Sequence, residues 1–586
     1  MRPEPPAASN TAGPVTAAKG PVYPALRWRG IGALVVTLAL VLGFALFVAL
    51  MREGRTTLGG ISAGWALTFA GTFAATAAWS LASVLLVAFA AQRRVDDVLP
   101  GHAPTHWPLL APVTLAVMAF VSDAVNHRLL QTDDLRWLWA GPIGVWVAGQ
   151  ALWLPLSLDR VRLSPIRVTR DAIASLAGSR FARLTFGLVF AQFVALRLGL
   201  ALLWRPIGLF ERGSDVGAYE QRARLALQGL QPYLDYWVEY PPVFPWIASG
   251  LKLVSVPLGG DEAAFQLLFS LVMVAFEAGI LWLIHAIAVR VWDEPRGLVT
   301  AAAYAALFYP IYIANRHFES IAVFFMLTGV YLVVRERRHT ASLAIALGVL
   351  TKLFPAAALP ALLAGQPWAA RTRYLGLAAA AVIGALAPLA VIGREFFAAS
   401  IQNMLMRPGW ETVWALADGY FGFGWIHRYR QSPHTALEFN YTPDLPAAAW
   451  WGAAAVVAAL YAVLALRRSR FTPAAAVWTT GLALVAFALY LRGWSPQFMV
   501  WLLPFTLLAF PGGRGFLIAT GLSGLALLEY PAYFVLWSEH QWVLWIVVVA
   551  RTLAILALGV VFARRLWHEG RSSAARPAAA TSSADA

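Results

Sequence analysis

The chain has 586 residues, of which 60% are hydrophobic and only 13% charged, and its formal net charge is +15. This composition is typical of an integral membrane protein and excludes an ordinary soluble domain. The absence of cysteine excludes disulfides, thiolate metal sites, iron–sulfur clusters and thiol nucleophiles.

The N-terminal third predicts a tail followed by membrane helices. Residues 1–26 are rich in Pro and Ala and lack apolar periodicity, which predicts a disordered cytoplasmic tail. Residues 27–157 hold apolar runs long enough to cross about 30 Å of hydrocarbon as helices, so we expect a four-span N-terminal membrane unit. These runs lie near 31–51, 64–91, 107–124 and 137–157.

The distribution of basic residues predicts the orientation of the spans in the membrane. Residues 158–183 carry six arginines, which predicts a basic cytoplasmic linker because cytoplasmic loops are enriched in Lys and Arg. A fifth span near 184–204 would therefore run outward and place residues 205–262 outside the membrane. Most of the positive charge falls in predicted cytoplasmic segments, so it does not indicate nucleic-acid binding.

The rest of the chain predicts nine more spans and one hairpin. Two short apolar arms in residues 340–366 meet at Thr351-Lys352-Leu353-Phe354-Pro355, which predicts a helical hairpin that enters the membrane and returns. Residues 513–567 are expected to form C-terminal spans and residues 568–586 a disordered cytoplasmic tail. The nine spans are predicted near 263–289, 297–314, 318–334, 374–393, 446–466, 473–491, 497–511, 514–529 and 541–563.

The expected fold is therefore an all-α polytopic membrane protein. It has about 14 transmembrane helices plus the hairpin, extracytoplasmic loops that carry short helices, and both termini in the cytoplasm. Arg197 and Glu277 fall inside consecutive spans and are either functional or paired with each other.

The polar interval of residues 213–242 holds the candidate base. Asp215 follows the fifth span closely enough to lie just above the bilayer, where a carboxylate is able to take a proton from an acceptor hydroxyl. The alternative is that Asp215 only caps a loop helix. Glu239 and Tyr240 precede two prolines that fix an extended backbone, or that simply begin the next helix.

Several motifs occur in a fixed order: D-x-x-x-Y at Asp215, then G-L-Q-P-Y, then E-Y-P-P at Glu239. Later come N-R-H-F-E from Asn315 to Glu319, G-V-L-T-K-L-F-P around Lys352, R-P-G-W-E-T from Arg407, and S-P-Q-F-x-x-W around Gln497. This order resembles the GT-C superfamily of polyprenol-dependent glycosyltransferases, and most closely glycosyltransferase family 87, which includes bacterial mannosyltransferases. The resemblance covers residues 184–512.

The resemblance implies a GT-C-like catalytic membrane core in residues 184–512. It implies inverting transfer of a hexose, most simply mannose, from a polyprenyl-phosphate sugar to a lipid or glycan acceptor. Asp215 matches the external catalytic aspartate, and the other candidates would bind substrate or support those that do. They are Glu239, Tyr240, Arg316, His317, Glu319, Lys352, Arg407, Glu411, Arg492 and Gln497.

The family pattern is altered at one motif. Where G-Q-F-D is common, this chain has Arg316-His317-Phe318-Glu319, so the substrate contacts there are either retained or changed. Lys352 is one of only three lysines among 45 basic residues, and it would hold the donor phosphate unless it only snorkels to the interface. The arginines would do the same unless they face water or lipid headgroups.

No HExxH or paired-histidine spacing occurs, so we expect no metal and no cofactor beyond the lipid-linked donor. The expected location is the bacterial cytoplasmic membrane, with the active site facing outside and membrane lipids around it. A flippase for a lipid-linked glycan and a non-catalytic envelope-assembly scaffold remain rival interpretations.

Overall fold

The computed structural model describes residues 215–305, 307–314, 316–422, 427–439, 446–467 and 472–574, with nine helical positions between residues 186 and 201. The predicted N-terminal tail, four-span unit and basic linker lie outside these residues. Across the described ranges all regular secondary structure is helical, apart from two isolated bridges. The all-α prediction is confirmed there.

The helices follow the predicted spans closely after residue 260. They are α1 Val216–Ala223, α2 Val243–Ser255, α3 Glu262–Val291, α4 Glu294–Ala305, α5 Phe308–Ala314, α6 Glu319–Val334, α7 Arg338–Thr351, α8 Leu359–Leu363, α9 Trp368–Met406, α10 Val413–Ala417, α11 Ala447–Leu466, α12 Pro473–Tyr490, α13 Leu503–Ala509, α14 Gly513–Leu527 and α15 Gln541–Ala574. Tighter 3-10 turns include Phe354–Ala358, Pro433–Leu437 and Pro496–Trp501, and a π-helical stretch, Leu528–Trp537, precedes α15.

Five of these helices are long and apolar enough to cross a membrane. They are Glu262–Val291, Trp368–Met406, Ala449–Leu466, Pro473–Tyr490 and Gln541–Glu569. The membrane character of the chain therefore follows from its helices as well as from its composition.

Several predicted spans differ from the observed helices. The span expected near 497–511 consists of the 3-10 turn Pro496–Trp501 and the seven-residue helix α13. The span expected near 297–314 is divided into α4 and α5, where Pro310 in the first turn of α5 has no N–H to continue the preceding helix. The span expected near 374–393 continues to Met406 in α9, with non-helical backbone only at Arg394 (φ 33°). α15 runs to Ala574, seven residues into the segment predicted as a disordered tail.

The hairpin prediction matches the local structure. α7 ends at Thr351, and Lys352 adopts an extended backbone (φ −160°, ψ 151°) before the chain turns back through Phe354–Ala358 into α8. Lys352 is therefore carried at the tip of two helical arms, where the backbone is no longer helical.

The core is formed where α3, α6, α7, α12 and α13 pack together. α6 and α7 approach closely because Gly329 faces Ile345, whose side chain lies 2.6 Å from where a Cβ of residue 329 would be. By contrast, only 6% of the most apolar window of α9 is buried, against 50% for α3. α9 therefore lies at the edge of the bundle.

The Arg197–Glu277 pairing is confirmed. The guanidinium lies 3.5 Å from the carboxylate, which also accepts from Ser320 at 2.7 Å and Tyr304 at 3.1 Å. A buried charge in a span is costly unless it is paired, and this pair satisfies that need within the core.

Candidate functional site

Asp215 stands at the N-terminal end of α1 but does not cap it. Its backbone carbonyl accepts the first helical bond from Tyr219, while its carboxylate makes no hydrogen bond to the helix N–H groups. The carboxylate instead accepts from the Tyr219 hydroxyl at 3.2 Å and lies 3.1 Å from Nδ1 of His317. Its side chain is 40% exposed, so the carboxylate faces both the protein and the solvent.

α1 presents three polar side chains on one face. Asp215, Tyr219 and Arg222 are four and then three residues apart, which places them on the same side of a helix. An ion pair between α1 and α2 fixes the position of α1: the buried carboxylate of Glu220 contacts the ammonium of Lys252 in α2. Lys252 also donates to the carbonyl of Gly260 at 2.7 Å, so its function in this structure is to fix α1.

Three consecutive residues, His317, Phe318 and Glu319, join Asp215 to Lys352. His317 contacts Asp215, and the carboxylate of Glu319 forms an ion pair with the ammonium of Lys352. The side chains of Glu319 and Lys352 are 1% and 14% exposed. The two residues chosen from the sequence as base and phosphate ligand are thus brought to one short segment.

Aromatic rings surround this segment. Phe318 stacks on Phe244 with a 3.7 Å centroid separation and meets Tyr240 edge-on at 4.9 Å. The Lys352 ammonium lies 4.9 Å from the Phe318 ring and 4.4 Å from the Phe498 ring. Cation–π attraction and the Glu319 carboxylate together stabilise a charged lysine in a mostly enclosed position.

Glu239 is buried between two arginines. Arg222 lies 2.5 Å from one carboxylate oxygen, and Arg430 forms an ion pair with the other. Burial alone raises the pKa of Glu239, but the two arginines outweigh it and hold that pKa below its ordinary value. Burial lowers the pKa of Arg430 to about 10, so both partners remain charged near neutral pH.

Tyr240 and Arg407 complete this side of the site. The Tyr240 ring lies 6.1 Å from the Tyr219 ring, and Arg407 is within electrostatic reach of Tyr240, Glu239 and Asp215. Burial, followed by the nearby carboxylates, raises the pKa of Tyr240, so its hydroxyl stays protonated. The Arg407 guanidinium lies 4.0 Å from the Trp410 ring, which fixes its direction at the end of α9.

Asp215 is ionised at neutral pH. Burial raises its pKa, but His317, Arg222 and the Tyr219 hydroxyl stabilise the carboxylate more strongly, so the net pKa lies below the ordinary value. The pKa of Tyr219 is raised well above its ordinary value, first by burial and then by Asp215. The phenol therefore stays a hydrogen-bond donor to a carboxylate.

We call the following set the Asp215 site: Asp215, Tyr219, Arg222, Glu239, Tyr240, His317, Glu319, Lys352, Arg407 and Arg430. Four cations face three carboxylates in it, which leaves one net positive charge before His317 is counted. A small cleft opens beside it, and its lining includes Arg222, Glu239 and Tyr240 together with apolar side chains such as Phe244 and Ala248. Such a site favours an anionic ligand that also presents hydroxyl groups.

Four candidates are outside this set, although the carboxylate of one of them, Glu411, is within electrostatic reach of Arg407. Arg316 is buried with its guanidinium 4.8 Å from the Tyr312 ring, and Arg492 lies 4.6 Å from the Trp450 ring. Glu411 is 3% exposed, and Gln497 is half-buried at the start of the Pro496–Trp501 turn. Their role in binding stays a prediction.

Sequence reasoning missed two arginines of the site. The helical period from Asp215 through Tyr219 to Arg222 would have identified Arg222. Arg430 lies in a loop 191 residues beyond its partner Glu239, and no local pattern links them. Neither residue belongs to a motif of the resemblance.

No metal centre emerges from the residues that the structure describes, since they contain no group of three or more His, Asp or Glu placed to hold an ion. His317, the histidine of the Asp215 site, contacts the Asp215 carboxylate. Comparison of the chain with protein-family models, curated proteins and solved structures gives no significant match.

Proposed function

We propose that the chain is a membrane glycosyltransferase that moves a hexose, most simply mannose, from a polyprenyl-phosphate sugar to a lipid or glycan acceptor. The observation that carries the proposal is the convergence of Asp215 and Lys352 on the His317–Glu319 segment. An ionised, solvent-facing carboxylate and a set of cations at one site match the two needs of this reaction: a base for the acceptor and a counter-charge for the leaving phosphate.

The chemical step assigns each group a role. The acceptor hydroxyl attacks the anomeric carbon while Asp215 takes its proton, and the bond from that carbon to the phosphate oxygen breaks. The electron pair leaves with the polyprenyl phosphate, whose charge is met by Lys352, Arg222 and Arg407. The bond that forms is the new glycosidic C–O bond, and the anomeric configuration inverts.

His317 and Tyr219 act on the base. Their contacts at 3.1 and 3.2 Å both reach the same Asp215 oxygen, Oδ2, which leaves Oδ1 as the oxygen directed at an acceptor. Fixing one oxygen restricts rotation of the carboxylate and orients the other. Arg222 gives Asp215 further electrostatic support while it is paired with Glu239.

The membrane helices support a lipid-linked donor. α9 ends at Met406, immediately before Arg407, and is little buried over its most apolar window, so its surface is available to the hydrocarbon chain of a lipid. The same helix thus connects an apolar exterior to a cation of the site. The outer face of the bacterial cytoplasmic membrane is part of this proposal, from the charge distribution of the loops.

The test uses purified protein in detergent with radiolabelled polyprenyl-phosphate mannose and a membrane lipid extract. Wild type should form a labelled product from this donor and none from GDP-mannose. Asp215→Asn should lose about 10²- to 10⁴-fold of the rate, the usual contribution of a general base. Equal product from wild type and Asp215→Asn would remove the base assignment, and product from GDP-mannose alone would remove the donor assignment.

The same preparation separates catalysis from transport. A flippase would move labelled lipid-linked glycan across liposomes without changing its mass. Movement of unchanged donor by wild type and Asp215→Asn alike would favour the carrier over the transferase.

A further inference from the structure

A second buried polar cluster lies beyond the residues of the Asp215 site. Arg551 in α15 is 2% exposed, and its guanidinium contacts both the Glu529 carboxylate and the backbone carbonyl of Glu411. It also lies 4.8 Å from the Trp494 ring. One arginine of the C-terminal helix therefore joins three segments that are distant in the sequence.

Two of those segments are already bonded to each other. The Trp410 N–H donates to the Arg492 carbonyl at 3.3 Å, and the Trp494 N–H donates to the Trp410 carbonyl at 2.9 Å. The Thr412 hydroxyl donates to the same Arg492 carbonyl at 2.6 Å. Residues 407–412 thus form a loop, here called the Arg407 loop, that is seated on residues 492–494.

The backbone of the Arg407 loop needs external support. Glu411 has a φ of 51°, in the left-handed region that residues other than glycine adopt only at a cost. Such a conformation persists where the surroundings fix it, and the Arg551 guanidinium bonded to the Glu411 carbonyl is a contact of this kind. The Glu529 carboxylate, which contacts the same guanidinium, holds it in place.

The Arg407 loop is important because it positions Arg407, a cation of the Asp215 site. The Arg407 guanidinium lies against the Trp410 ring, and Trp410 is adjacent to the residue that Arg551 holds. Arg407 in turn is within electrostatic reach of Glu239, Tyr240 and Asp215. A chain of contacts therefore runs from α15 through Glu411 and Trp410 to a cation of the site.

We propose that Arg551 is a positioning residue, which holds the Arg407 loop so that Arg407 points at the sugar-phosphate ligand. The inference rests on the proposed function for the identity of that ligand, but not for the positioning itself. It extends the functional unit past residue 512 into the C-terminal helix.

The first test measures positioning without any substrate. Arg551→Met with Glu529→Gln removes the Arg551–Glu529 ion pair as a whole, and the buried Glu411 carboxylate keeps Arg407 as a cation within electrostatic reach. Hydrogen exchange at the Trp410 and Trp494 amides should be at least tenfold faster in this double variant than in wild type. Arg551→Lys should be closer to wild type, because lysine keeps a cationic donor beside Glu529.

A matched control lies on the same helix. Arg565 is 14 residues further along α15, about 21 Å away at 1.5 Å per residue, with its guanidinium 5.1 Å from the Trp478 ring. Arg565→Met should leave the two amides unchanged. Equal exchange in wild type and the double variant would overturn the proposal, and so would equal acceleration in Arg565→Met.

The second test measures how the same substitutions affect donor binding at the Asp215 site. The double variant should raise the KM for polyprenyl-phosphate mannose about tenfold with a smaller change in kcat, and Arg551→Lys should restore most of the affinity. Altered exchange with an unchanged KM would refute the link to Arg407. If wild type makes no product while the exchange prediction holds, the proposed function fails and the positioning role stands.

Discussion

The Lys352–Glu319 pair gives the sharpest prediction about stability and function together. Lys352→Met removes the ammonium but keeps most of the apolar stem, and it leaves the carboxylate of Glu319 buried at 1% exposure without its cation. Removing one partner of a buried ion pair costs about 3–5 kcal/mol. Because Lys352 is itself only 14% exposed, solvent screening reduces this figure little.

The double variant separates folding from function. Glu319→Gln with Lys352→Met removes both charges, so it should recover more than half of the stability that Lys352→Met loses. Donor binding should not recover, because the cation that meets the phosphate is still absent.

The assay is thermal unfolding in detergent, followed by the fluorescence of the 26 tryptophans. Lys352→Met should lower Tm by several degrees and the double variant by clearly less. If the double variant loses as much stability as Lys352→Met or more, the reasoning from a shared buried charge is refuted. Recovery of donor binding in the double variant would refute the role of Lys352.

Three further predictions concern the rest of the site. The pKa of Asp215 is lower in the folded chain, so its stabilising contribution is present above the ordinary aspartate value of about 3.9 and is lost as pH falls through the folded pKa. The acid limb of the pH profile of kcat/KM should therefore lie below about pH 4. A limb near pH 6 would contradict the assignment of Asp215 as the base. Gly393→Ala places a Cβ 2.0 Å from the carbonyl of Tyr233, so it should reduce activity and Tm, whereas Gly384→Ala on the same helix meets nothing within 4 Å and should change neither. Glu239→Gln leaves two arginines facing each other without their carboxylate, so it should cost about 3–5 kcal/mol in the free energy of unfolding by denaturant titration, and a loss below about 1 kcal/mol would show that the pair is not held as described.

The helices could be predicted well because the strongest signal for them, the length of a continuous apolar run, is contained in neighbouring residues of the sequence. The bounds of α3, α11 and α12 follow apolar runs and proline starts closely. The continuation of α9 past Arg394 was missed because the span was predicted only to about residue 393. What keeps that segment helical is tertiary contact, as where Ser400 accepts from the backbone N–H of Val238.

Residues of the Asp215 site that belong to a sequence motif could be chosen from the sequence. Asp215, His317, Glu319 and Lys352 were all chosen from the sequence, and the structure places them in one group. The Arg197–Glu277 pair was expected because the two residues fall in consecutive spans, but the Glu239–Arg430 and Glu411–Arg551 contacts were not predictable, since they join segments more than 100 residues apart. Such pairings depend on how helices pack, which local periodicity does not encode.

The central claim is that Lys352 binds the lipid-linked donor while Asp215 deprotonates the acceptor, and equilibrium binding of radiolabelled polyprenyl-phosphate mannose, measured beside sugar transfer, tests it most directly. Asp215→Asn should bind this donor as tightly as wild type while failing to transfer the sugar. Glu319→Gln with Lys352→Met should bind it at least tenfold more weakly, the loss expected for one charge-assisted hydrogen bond of about 1.5–3 kcal/mol. Wild-type affinity in the double variant, or equal transfer by Asp215→Asn and wild type, would contradict the account.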